Sequence, residues 1–297
     1  MRRIVSIAVS MCCAATVLAG DPAGASAQPP AGCATLLSAA DVAQVSTLSA
    51  PPPAVTGTAP LDTLTDHVWR LSEISDILVR NHDRRGLFTV GLAATEHAAV
   101  LPLETSGTLA DPTWAQRLSV LLLDRYLAAV HAEFTGGVVP AHWQRYFTLG
   151  DDCSVSGVRA AATGYNGHIT VDLAYAVADS AATRANAADF YRIVDAIAAH
   201  GDAIVDATER DYGVDLGPTF RFYFLGEGLD RLVGAGRASN AMLRAADVGY
   251  NVLTFESGLA LQNPSTRRAA VTSVNALWST GDAALGAADD LGVLELR

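Results

Sequence analysis

Leu64, Val68, Leu71, Ile74 and Leu78 recur at spacings of four, three, three and four, which puts them on one face of a helix. The opposite face carries Asp66, Arg70, Glu73 and Asp76, with His67 as a surface or flank residue, and the pattern stops at Asn81-His82-Asp83. Asp83 is placed either to cap a second, more apolar helix through Thr89–Val100 or to pair with an arginine. Inside that alanine-rich helix, Glu96 is expected to be paired or exposed on one side. Asp111-Pro112 is a helix-start signal, and Trp114–Ala132 reads as a long helix. Its Leu118–Leu123 segment, nearly apolar all round, belongs at the centre of a fold. Gly136-Gly137 ends it. Shorter helices are predicted from Pro140 to Gly150 and over Val155–Thr163. Phe190, Ile193, Val194, Ile197, Ile204 and Val205 mark one long helix to about Thr208, and Arg237–Leu261 and Arg267–Ala288 complete the series. Strand alternation and repeats are absent from the pattern, so the expected fold class is all-α, a single multi-helix bundle domain.

The first residues read differently. Met1-Arg2-Arg3, the apolar run Ile4–Leu18 and Ala25-Ser26-Ala27 form a secretory signal peptide, residues 1–27. Val9-Ser10-Met11 does not suit lipid attachment at Cys12, so release is expected, to a secreted or extracytoplasmic location. Residues 28–60 form an irregular Pro/Ala/Ser-rich arm in which Pro51-Pro52-Pro53 forbids helix, with a short helix near Ala39–Val45. The all-helical domain is expected over residues 61–297. No later run is expected to be long and apolar enough to span a membrane.

Beyond the leader only Cys33 and Cys153 remain. Two cysteines in an exported chain imply one disulfide, which by closing so long a loop would contribute about 3–5 kcal/mol. The precursor carries −11, and loss of Arg2, Arg3 and Asp21 leaves −12. That charge makes nucleic acid and anionic lipid unsuitable partners.

The densest cluster of chemically capable side chains is Gly164-Tyr165-Asn166-Gly167-His168-Ile169-Thr170-Val171-Asp172-Leu173. His168 and Asp172 are four apart and share a helix face. Asn166 and the two glycines are expected at a turn entering that helix. A His beside a carboxylate is a general base held in one tautomer, half of a metal site, or a structural pair that satisfies two buried groups. Asp124 and His131 form a second stripe on the central helix. Asp189 starts another helix, and Phe220–Phe224 is an aromatic patch.

Several of these pieces carry a resemblance. Asp83-Arg84-Arg85-Gly86-Leu87-Phe88, Thr95, Asp111-Pro112 with Trp114, Tyr126, Trp143 with Phe147, the Gly164–Leu173 motif and Asp189-Phe190 resemble an actinobacterial family catalogued as domain of unknown function 5995, over roughly residues 69–208. The family pattern has a further His shortly before the focal motif, where this chain reads Arg159-Ala160-Ala161-Ala162. The resemblance therefore implies a site altered at that position, and it implies no reaction.

Two classes of function follow. In one, His168, Asp172 and Asn166 are catalytic, and His168, Asp172, Asp189, His131 and Asp124 converge to hold a divalent metal in a hydrolase of a small molecule or lipid. In the other, the cluster is structural, and the protein is an extracellular module that binds a small-molecule or apolar ligand. A zincin motif, a Gly-x-Ser-x-Gly elbow and a dinucleotide fingerprint are all missing.

Overall fold

A computed structural model describes residues 37–51, 59–217, 240–292 and 294, the side chains of 240–250 excepted. All lie in the compact unit Gly32–Arg297. The expected leader, residues 1–27, Cys33 and the Phe220–Phe224 patch lie outside the described residues. Among the described residues every regular element is helical, as the periodicity predicts. α1 is Ala39–Ser49 and α2 Pro60–Arg80. α3, Leu87–Thr95, continues through a π-helical turn, Glu96–Val100, into α4, Leu101–Thr105. α5 is Pro112–Thr135, α6 Ala141–Asp151 and α7 Gly157–Gly167. A second π turn, His168–Asp172, joins α7 to α8, Leu173–Asp179. α9 is Ala187–Ala199, α10 Gly201–Tyr212, α11 Asn240–Gln262 and α12 Arg267–Asp290.

Local signals set most of these boundaries. Pro60 opens α2 and Pro112 opens α5, where a missing N–H costs nothing. The Asp111 carboxylate accepts the Trp114 N–H at 3.0 Å, and the Ser156 hydroxyl accepts that of Arg159 at 3.0 Å. α5 ends on Gly136, whose φ of +72° is left-handed. Asp83 both caps and pairs: its carboxylate accepts the Arg85 backbone N–H at 3.0 Å and binds the Arg85 guanidinium at 2.6 Å.

The core is built around Phe88. Its ring centroid lies 4.9 Å from those of Tyr126 and Tyr165 and 5.1 Å from that of Trp143. Phe88 sits on α3, near the start of the helical run Arg84–Thr105. By length and mean hydropathy that run would suffice to cross a membrane, contrary to the expectation that no segment after the leader would. In its most apolar window 67% is buried inside the bundle.

Four other expectations are corrected. The bundle begins before Leu61: α1 packs on α2 and α5, with the Arg70 guanidinium donating to the Ala50 carbonyl at 2.9 Å. The single helix expected to run to Thr208 breaks at His200, whose φ of −115° and ψ of 23° start α10 anew at Gly201. His67 is fully buried rather than at the surface. Gly164 and Gly167 do not form an entering turn, because helical backbone continues from Gly157 to Asp179. They are close-approach positions instead. A Cβ on Gly164 would lie 2.9 Å from Phe88 Cβ, and one on Gly167 would lie 3.1 Å from His142 Cδ2.

Candidate functional site

Asp172 is 2% exposed and receives two hydrogen bonds from consecutive residues of α6. His142 Nε2 lies 2.9 Å from Oδ1, and Trp143 Nε1 donates to Oδ2 at 2.8 Å. Neighbouring helix positions project in different directions, so α6 grips the carboxylate from two sides. The bare Gly167 lets α6 come close enough to do so. His168 Nδ1 stands 3.6 Å from Oδ2, beyond hydrogen-bond length. Burial opposes ionisation of Asp172, but the His142 hydrogen bond and the proximity of the His142 and His168 imidazoles outweigh it and hold the carboxyl below its ordinary range. The main partner of Asp172 is thus His142, which the i, i+4 reading missed. The adjacent Trp143 had been noted for the family pattern and not for this carboxylate.

The other proposed site residues are committed elsewhere. Asn166 Nδ2 donates to the Trp278 carbonyl at 2.9 Å, while its Oδ1 accepts from Thr170 at 3.2 Å, so it fastens α12 to α7. Asp124 sits 2.7 Å from His67 Nε2. His131 Nδ1 bonds the Ser46 carbonyl at 2.9 Å. Asp189 accepts the backbone N–H groups of Ala110 and Asp111 at 2.9 and 2.7 Å, holding the segment before α5. The structure therefore does not bring Asp124, His131 and Asp189 to His168 and Asp172. Among the described residues no three His, Cys, Asp or Glu gather as a metal-holding group. In the stretch where the resemblance led to an expected further His, Arg159 is buried and paired with Asp282 at 2.5 Å.

Beside His168 lies a cavity of about 110 Å³. α5 contributes Leu118 and Leu122, α9 contributes Phe190, Ile193, Val194, Ile197 and Ala198, and Ile169, Leu173 and Ile204 close it. Both π turns reach it, and each begins with a polar wall residue, Glu96 in one and His168 in the other. π turns are rare and recur at functional sites. Glu96 is 4% exposed, and its Oε2 has no hydrogen-bond partner, so it is neither paired nor exposed as the alanine-rich context had suggested. Burial, reinforced by the nearby Glu104, pushes its carboxyl up to about 8. Glu104 accepts the Ser119 hydroxyl at 2.6 Å and has its other oxygen unpartnered; burial raises it to about 7 against that hydrogen bond. Thr95, Ser119, Asn251 and Tyr165 are further polar residues of the wall, and the Tyr165 hydroxyl lies against Gly91, where a Cβ would be only 2.0 Å away. Nothing in the local sequence marked Glu96 as part of a cavity; the wall is contributed by helices distant along the chain.

The model of a family of unknown function, DUF5995, matches residues 64–237. The chain belongs to this family. The match covers most of the described site, from α2 through α10, and brings no reaction with it. No curated protein and no solved structure matches the DUF5995 chain.

Proposed function

We propose that this DUF5995 protein is an exported binder of a small, largely apolar molecule. The observation that carries the reading is the cavity in the helical core, walled by aliphatic side chains yet holding an unpartnered carboxyl, Glu96. Buried polar groups normally have partners, and a ligand would supply this one. The volume limits the guest: a cavity of roughly 150 Å³ takes a benzene-sized molecule, so about 110 Å³ suits one ring or a short acyl segment. The acidic composition and the leader-like first residues support a secreted module.

A hydrolytic reading rests on His168, which lines the cavity with a carboxylate behind it. The geometry favours binding. Asp172 directs its oxygens to His142 and Trp143, and the 3.6 Å gap leaves His168 without the short hydrogen bond that orients a general base.

The test is a thermal melt of the mature protein with saturating toluene, together with mass spectrometry of an organic extract. Toluene should raise Tm, and Ala198→Phe, which fills the cavity, should abolish that rise. An unchanged melt with an empty extract would overturn the binding reading.

A further inference from the structure

We propose that the ligand is a small apolar amine whose ammonium group sits on the Glu96 carboxylate. This rests on the binding reading above and specifies the chemistry of the guest. Among the described residues the wall contains no arginine, and the chain has no lysine, so a carboxylate or phosphate guest would meet no guanidinium or ammonium there, and the His168 imidazole would be its one basic neighbour. Such a guest would also meet Glu96, with Glu104 behind it. Glu96 Oε2 and Glu104 Oε2 are both buried without a donor, and an ammonium carries three donors and no acceptor. The other titratable or polar groups among the described wall residues are His168, Tyr165, Ser119, Thr95 and Asn251; Ser119 already donates to Glu104 and Thr95 to the Gly91 carbonyl. α9 presents only apolar side chains to the cavity, matching a hydrocarbon body behind a charged end.

Desolvating a carboxylate normally opposes such a pair. Here the fold has already buried Glu96, so the guest meets an acceptor that has lost its water. Burial keeps the Glu96 carboxyl protonated near neutral pH. An ammonium guest would enter with its charge, the Glu96 proton would leave to solvent, and the bound pair would be ammonium and carboxylate, with charge and protons balanced.

The experiment is calorimetric titration of the mature protein at pH 7 with benzylamine, benzyl alcohol, toluene and benzoate, repeated in buffers of different ionisation enthalpy. Benzylamine should bind about tenfold or more tightly than benzyl alcohol or toluene, the scale of a charge-assisted hydrogen bond. It should release about one proton per site, and benzoate should not bind. Glu96→Gln should remove the benzylamine advantage over toluene. Toluene binding with no preference for benzylamine, or benzylamine binding without proton release, would overturn the amine assignment while leaving the binding reading intact. Failure of all four probes would overturn both. Proton release is read on the unaltered protein, so the outcome does not depend on Glu96→Gln folding.

Discussion

Glu96 allows a test of the cavity wall that needs no ligand. Its carboxyl is raised from 4.5 to about 8 by burial and by Glu104, so between those values the folded protein holds a proton that the unfolded chain has lost. Stability from this group is complete below about pH 4.5 and falls as pH rises to about 8. The slope is about 1.4 kcal/mol per pH unit, which caps the loss at roughly 5 kcal/mol. Glu104, raised to about 7, adds a fall of the same sign. Asp172 acts oppositely, because its carboxyl is held low: its contribution is present above pH 4 and disappears only in acid. Urea unfolding of wild type and Glu96→Gln at pH 5, 6.5, 8 and 9 separates these contributions. The two should be nearly equal at pH 5. By pH 9 Glu96→Gln should be the more stable by several kcal/mol, leaving only the shallower Glu104 fall. A wild-type profile that is level from pH 5 to 9, or a variant profile as steep as wild type, would refute the burial argument.

Three further outcomes can be checked. His142→Ala should destabilise by about 2–4 kcal/mol, since it strips Asp172 of its 2.9 Å partner. His168→Ala should cost less, and equal or reversed losses in urea titrations would contradict the assigned roles. Gly164→Ala should destabilise by about 1–3 kcal/mol, because the new methyl would stand 2.9 Å from Phe88 Cβ; a raised Tm would show that helix propensity outweighs the contact. Denatured, unreduced mature protein should show no titratable thiol if Cys33 and Cys153 are joined, and two thiols would disprove the pairing.

Helix positions were legible because their signals are local. The Leu64–Leu78 spacing, Asp111-Pro112 and Gly136 act within one or two turns of chain, and α2 and α5 follow them. The glycines of the focal motif misled for a related reason. Taken alone, Gly164 and Gly167 suit a turn, but the neighbours that demand bare backbone, Phe88 and His142, lie far off in sequence. The same holds for the polar pairs. His67 reaches Asp124 across 57 positions and His142 reaches Asp172 across 30, and neither spacing has a local signature.

The sequence by itself determined an all-helical chain, its family, and a focal motif whose His168 and Asp172 are both buried. Only the tertiary structure decided what those residues do. Packing of α6 against α7 brings His142 and Trp143 to Asp172, α12 takes up Asn166, and Asp124, His131 and Asp189 meet separate partners elsewhere in the bundle. Packing also set Glu96 in a cavity wall, since a wall shared by α3, α5, α7, α8, α9, α10 and α11 is a property of how helices pack, and single-helix periodicity reports only which face turns inward.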